Sequence, residues 1–335
     1  MLKIAVLGCG RIGQMHARNI ANHPRARLAA VYDINELAAN KVASEWDVPV
    51  QHSAHDVFES SDVDAVLIAS STDTHCDFLE MGVAANKSVL CEKPIDLSLE
   101  RVNRCAAKIA NSNVPIMIGF VRRFDPSHRA TRNAIAEGQI GELRQVIITS
   151  RDPGMAPDAY MESSGGIFRD MTIHDFDMAR YILAEEPIEV AALGSRLVDP
   201  TLMQRLDDYD TLSVTLKTAS GKQCLISNSR QASYGYDQRV EALGSTGMVQ
   251  SENIRAHHSV ISGSNFTAKA GPFLDFFIER YSEAFDAEIT AFVDAVENGT
   301  APEVSFEDGR QALRLAEAAV KSVKERRSVD VNEVG

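Results

Sequence analysis

The chain has 335 residues, 44% of them hydrophobic and 24% charged, with a formal net charge of −13. That composition is ordinary for a globular protein, and the length calls for two domains. The acidic balance argues against nucleic acid or an anionic membrane as partner, because both call for a basic face.

Residues 2–7 form a short, almost wholly apolar run with β-branched members, as expected of a strand buried on both faces. The run is too short for a signal peptide, and no window approaches the roughly 18 apolar residues of a membrane helix. Five scattered cysteines (Cys9, Cys76, Cys91, Cys105, Cys224) without a C-x-x-C pair point to free thiols in a reducing, cytoplasmic setting.

Gly8-Cys9-Gly10-Arg11-Ile12-Gly13 follows the first strand directly, a helical pattern follows over 14–21, and a second strand over 28–32 ends in Asp33. A G-x-G-x-x-G between strand and helix, with an acidic residue 20 positions after its third glycine, is the context a dinucleotide site requires. The glycines permit a tight turn and close approach of a pyrophosphate, whose charge the helix N-terminus stabilises. Asp33 suits ribose hydroxyls and repels a 2′-phosphate, so NAD is the expected cofactor. Arg11 could swing toward a phosphate. Cys9 is a small loop residue or, alternatively, a redox-sensitive thiol.

Helix and strand patterns continue to alternate. Residues 36–46 are helical, 65–69 extended, and Ser70, Ser71, Thr72, Thr74 and His75 open the next helix with groups able to hydrogen-bond a cofactor. A strand over 88–91 leads into Glu92-Lys93-Pro94, and a run over 114–118 stops at Gly119. The alternation predicts an open, doubly wound parallel sheet of six strands, a Rossmann domain over 1–120, with ligands at the carboxyl ends of the strands. Lys93 stands at such an end on the restricted backbone before a proline, where substrate and nicotinamide should meet.

Residues 121–335 change character. Helices are predicted over 124–137 and about 306–327, the latter capped by Ser305 with Asp308 three residues on. Strands over 143–149, 189–197, 211–217, 223–229, 238–243 and 248–250, with turns at 220–222 and 244–247, predict a large, mostly antiparallel sheet and an α+β domain. Residues 263–271 are expected to form a loop. The pairs His52/His55 and His257/His258 lack the companions of a zinc site, so no metal is expected.

Between these elements lies Gly165-Gly166-Ile167-Phe168-Arg169-Asp170-Met171-Thr172-Ile173-His174. Two glycines suit a close approach, and Asp170 and His174, four apart, would share a helix face. A carboxylate that orients a histidine is a common way to build a general base.

Taken in order, the glycine loop, Glu92-Lys93-Pro94, Gly119-Phe120-Val121-Arg122-Arg123-Phe124-Asp125-Pro126 and Gly165-Gly166…Asp170-x-x-x-His174 resemble the Gfo/Idh/MocA family of oxidoreductases, most closely its inositol-oxidising members. The resemblance runs nearly end to end, through Tyr234-Gly235-Tyr236-Asp237 and the helix around Asp308-Gly309-Arg310. It implies a catalytic Lys93, Asp170 and His174, with Glu92 and Lys93 also beside the nicotinamide. It further implies a polyol pocket lined by Arg122, Asp152, Tyr234 and Tyr236, and a dimer or homotetramer. Asp73, where many relatives have asparagine, is left off the cofactor set of Gly8, Gly10, Arg11, Ile12, Gly13, Asp33, Ser71, Thr72, His75, Glu92 and Lys93. The expected reaction is oxidation of myo-inositol to the ketone. Alternatives are another inositol isomer, a sugar or keto sugar, and a non-catalytic NAD sensor.

Overall fold

The computed structural model describes residues 1–335. Contacts divide them into two compact units: Met1–Val121 with Glu283–Leu313, and Arg122–Ser282 with Arg314–Gly335. Residues 283–313, read from sequence as part of the second domain, thus cluster with the first. Backbone pairing accounts for part of this, since Ile118 N–H donates to Val304 O at 3.1 Å.

The first unit is built on a parallel sheet of β1 (Leu2–Leu7), β2 (Ala26–Tyr32), β3 (Ala65–Ile68), β4 (Ser88–Glu92) and β5 (Ile116–Gly119), in the order β2-β1-β3-β4-β5. It has five strands, not the six expected. The stretch after β2 reaches the edge only through a single bridge of Val50 to Val31, and beyond β5 Ser305 makes another to Met117. The β3 side chains Ala65, Val66, Leu67 and Ile68 are all buried, the signature of a strand covered on both faces.

The second unit carries a seven-stranded sheet of β6 (Leu143–Arg151), β7 (Pro187–Ser195), β8 (Thr211–Thr218), β9 (Gln223–Ser229), β10 (Asp237–Gly244) and β11 (Met248–Ser251), with the C-terminal edge pair Val329–Asp330. The order is β11-β10-β6-β9-β8-β7 and then the edge pair, antiparallel except for β6 beside β9. Strict alternation along β8 buries Leu212, Val214 and Leu216 and leaves Ser213, Thr215 and Lys217 out. The inner face packs on the helix Ile173–Leu183, whose Phe176, Ala179, Ile182 and Leu183 are buried. Leu193 and Leu243 are exposed.

Residues 263–271 are not a loop. Val260–Gly263 and Phe266–Ala270 pair as an exposed antiparallel hairpin. Ser305 does cap the helix Phe306–Glu325: its hydroxyl accepts from Asp308 N–H at 3.2 Å, and Asp308 accepts from Ser305 N–H at 2.8 Å.

Candidate active site

The cofactor end of the first unit is shaped by glycines whose missing side chains do different work. A Cβ on Gly8, at φ +99°, would lie 2.4 Å from Ala69 O, and one on Gly13 would lie 1.8 Å from Gly8 O. Both positions are closed by backbone. At Gly10 a Cβ would meet nothing within 4 Å. Gly10 is also the N-cap of the helix Arg11–Asn22 and gives it no side-chain cap, leaving its first amide groups for an anion. Asp33 is fixed at the end of β2 by two backbone amides: Cys9 N–H donates to Oδ2 at 2.6 Å and Asn35 N–H to Oδ1 at 2.7 Å. An open cradle, an uncapped helix start and an anchored carboxylate fit a dinucleotide whose ribose hydroxyls are free. Burial, and then the charge of Asp33, push the Cys9 thiol up to about 12, so Cys9 is a packed loop residue and not a redox-sensitive thiolate.

Ser71 and Thr72 lie at the end of β3, where Thr74 Oγ1 donates to Ser71 O at 2.7 Å and pairs with Ser70 Oγ at 2.6 Å. His75 is buried, with its ring nitrogens against Pro94 O at 2.8 Å and Ser70 O at 3.1 Å. Burial lowers its pKa. Lying between these two carbonyls, His75 bridges the β3 and β4 strand ends rather than presenting its ring. Lys93 follows β4 directly, is joined to Pro94 by a cis peptide, and is half-buried. Glu92 Oε1 accepts from His16 Nε2 at 2.8 Å, and Oε2 from Lys93 N–H at 3.3 Å.

In the second unit the helix expected to carry both Asp170 and His174 is broken. Asp170 ends a four-residue helix, Ile167–Asp170, and His174 belongs to the first turn of the next, Ile173–Leu183. The break arises because Thr172 N–H reaches back to Ile167 O and His174 N–H only to Met171 O, while Thr172 Oγ1 donates sideways to Asn228 Oδ1 at 2.8 Å. Gly165 and Gly166 both sit at φ +82°. A Cβ on Gly166 would lie 2.9 Å from Asp208 Oδ1. The close approach that the glycines permit is to this carboxylate, which accepts Ile167 N–H at 3.0 Å and caps the short helix.

Asp170 is held from two sides. Tyr160 OH donates to Oδ1 at 2.7 Å, and Arg230 Nη1 donates to Oδ2 at 3.3 Å. Arg230 is fully buried and also reaches Asp208 at 3.4 Å. Asp152 belongs to the same electrostatic cluster. Burial first, then the nearby Asp170 charge, raise its carboxyl to about 6 against the opposing pull of Arg230 and Arg122.

The guanidinium of Arg122 is buried and donates to Asp175 Oδ1 at 2.6 Å and Ser150 Oγ at 3.2 Å. Asn228 Nδ2 donates to the other Asp175 oxygen at 2.8 Å. Arg122 therefore supplies positive charge near Asp152 and Tyr236 from inside a network. Tyr236 is buried edge-on against Tyr281, whereas Tyr234 is exposed and donates to Asp237 at 2.8 Å. Tyr160, Asp208 and Arg230 escaped the sequence motifs. No local sequence signal marks them, since Arg230 and Asp208 lie far along the chain from Asp170 and Ile167.

Residues 2–120 match the family model described as "Oxidoreductase family, NAD-binding Rossmann fold", and residues 128–250 match the GFO/IDH/MocA C-terminal domain. The chain belongs to the Gfo/Idh/MocA oxidoreductase family. It is 46% identical to the inositol 2-dehydrogenase of Rhizobium meliloti, over 98% of this chain and 99% of that one. The crystal structure of a myo-inositol dehydrogenase from Corynebacterium glutamicum superposes with a TM-score of 0.95 at 42% identity, covering 98% of each chain. A scyllo-inositol dehydrogenase from Lactobacillus casei, solved with NAD(H) and scyllo-inositol, gives 0.91 at 29% identity over 99% of each chain. NAD is the cofactor consistent with this family domain and with the cradle at Gly10.

Proposed function

We propose that this protein oxidises a cyclic polyol with NAD, and that its substrate is myo-inositol, converted to 2-keto-myo-inositol (scyllo-inosose). NAD, when bound, supplies the nicotinamide that accepts the hydride from the carbinol carbon. The residues of the chain handle the remaining proton and the charge. His174 takes the hydroxyl proton, Asp170 orients it or holds a neighbouring hydroxyl, and cationic Lys93 stabilises the developing negative oxygen. Gly8, Gly10, Arg11, Ile12, Gly13, Asp33, Ser71, Thr72 and Glu92 serve the cofactor, with His75 supporting the loop between Ser70 and Pro94. Asp152 and Tyr236 serve substrate hydroxyls, with Arg122 and Tyr234 holding the surrounding framework.

The observation that carries this reading is the anchoring of Asp170 by Tyr160 and Arg230, one peptide turn before His174. A carboxylate fixed in place four residues before a histidine suits proton transfer from a specific hydroxyl. In this scheme the first unit, residues 1–121 with 283–313, binds NAD, and the second, residues 122–282 with 314–335, binds polyol and mediates self-association. Exposed Ile147, Leu193, Leu225 and Leu243 on strands of the second sheet support a homotetramer or dimer. Five free, buried cysteines support residence in the cytoplasm. The scyllo-inositol relative makes another inositol isomer the second reading.

NADH formation measured across a panel of inositols and aldoses decides among these. Turnover is expected to be highest with myo-inositol. Preference for an aldose, or tight NAD binding without turnover of any polyol, contradicts the proposal.

A further inference from the structure

Glu288 is a charged residue type in a place that offers it no charge partner. It lies on the helix Ser282–Asn298 within the first unit, is completely buried, and has no hydrogen-bond partner for either carboxylate oxygen. One of those oxygens, a His16 ring nitrogen and a Glu92 oxygen all lie within 4.8 Å of one another. His16 is itself buried, and the Phe285 ring stands edge-on to it with centroids 5.6 Å apart. This pocket contains the carboxylate that accepts the Lys93 amide. Gly119, opposite Glu92 on β5, leaves it room, since a Cβ there would lie 3.1 Å from Glu92 Oε2.

We propose that Glu288 is a positioning residue for the Glu92–Lys93 strand end: it stays un-ionised beside the Glu92 carboxylate, so that Glu92 alone carries the charge there. A fully buried carboxylate this close to a second one is disfavoured as an anion both by burial and by its neighbour's charge. Glu92 already accepts two N–H groups, from His16 and Lys93. Glu288 accepts none, so the proton resides there. Burial, and secondarily the Glu92 charge, push its pKa well above the usual carboxylate range. The groups facing it are His16 from the helix Arg11–Asn22 and Glu92 from β4. An ionised Glu288 would compete with Glu92 for the His16 proton and loosen the carboxylate beneath Lys93.

The inference rests on Lys93 belonging to the reacting set, and its test separates the two ideas. Infrared difference spectra of the full-length protein at neutral pH should show one protonated-carboxyl band that disappears in Glu288→Gln. That band does not depend on turnover. Glu288→Gln keeps the size and the neutrality of the protonated acid and should retain kcat within about threefold with an unchanged pH profile. Glu288→Ala should lose roughly ten- to a hundredfold in kcat, with the pH profile displaced. If the alanine variant does not fold, the band and the glutamine variant still decide.

Absence of the band, or a glutamine variant as impaired as alanine, overturns the proposal. So does saturable stabilisation by Zn²⁺ or Mn²⁺ in wild type but not in Glu288→Gln, which would mean an ionised ligand. Near wild-type turnover of Lys93→Ala with the band present would instead sink the role of Lys93 alone.

Discussion

The loop at residues 8–13 and the segment at residues 165–177 are both glycine-led entries into helices, and they manage charge in opposite ways. The first is made from backbone: closed glycines at 8 and 13, an open one at 10, and a helix start without a side-chain cap. Its one carboxylate, Asp33, is held by peptide N–H groups within its own loop cluster. The second is made from side chains. Asp208 occupies the helix start that Gly166 leaves free, and buried Arg230 ties Asp208 to Asp170. A cofactor common to many enzymes needs space and amides, whereas a particular polyol needs carboxylates held at fixed points. The acidic charge gathered there, with Asp152 included, is stable only because arginines are buried with it.

Breaking the side-chain end should cost most. Arg230→Met leaves Asp170 and Asp208 without their shared cation and should destabilise the fold by about 3–5 kcal/mol. Chemical denaturation would measure this, and a loss below about 1 kcal/mol would show that the carboxylates do not depend on Arg230. Gly166→Ala should cost about 1–3 kcal/mol, because a left-handed φ and the Asp208 oxygen both oppose the new methyl group. Thermal melts of this variant beside Gly10→Ala sharpen the contrast. Gly10 has an ordinary φ and open space, so its substitution should spare stability and raise the KM for NAD.

At the backbone end, Asp33→Ala should weaken NAD about tenfold while narrowing its preference over NADP, read from kcat/KM with each cofactor. The smallest effect concerns pH. Because the Asp152 carboxyl is raised to about 6, its ionised form predominates only above that pH. The KM for polyol should therefore rise as pH falls through about 6, and Asp152→Asn should flatten that dependence. For stability the sign is reversed from a normal carboxylate. A raised folded pKa makes the charged form costly, so Asp152 favours folding more as pH drops from above 6 toward the ordinary aspartate range.

These two ends were not equally legible in the sequence. Residues 8–33 announce themselves because glycine spacing, strand end and acid lie within one local unit. The Asp170 environment does not, since Arg230 is 60 residues away and Asp208 contacts Ile167 across 41. No local pattern relates such partners. Spacing alone also misled at Asp170 and His174, where a four-residue interval implied one continuous helix. The side chain of Thr172 and the backbone around it split that helix in two. Arg122 was legible as important, but its burial against Asp175 and Ser150 depends on a strand and helix far along the chain. In the first sheet the five runs named from the sequence all became strands, and no sixth joined them.

The most direct test is the pH–rate profile of NAD-dependent myo-inositol oxidation for wild type, Lys93→Ala and His174→Ala. Each variant should lose about a hundredfold or more in kcat while keeping the KM for NAD within a few-fold, and the profile should lose one limb. Near wild-type turnover in both variants, with an unaltered profile, would contradict the assignment of proton transfer and oxyanion stabilisation to these side chains.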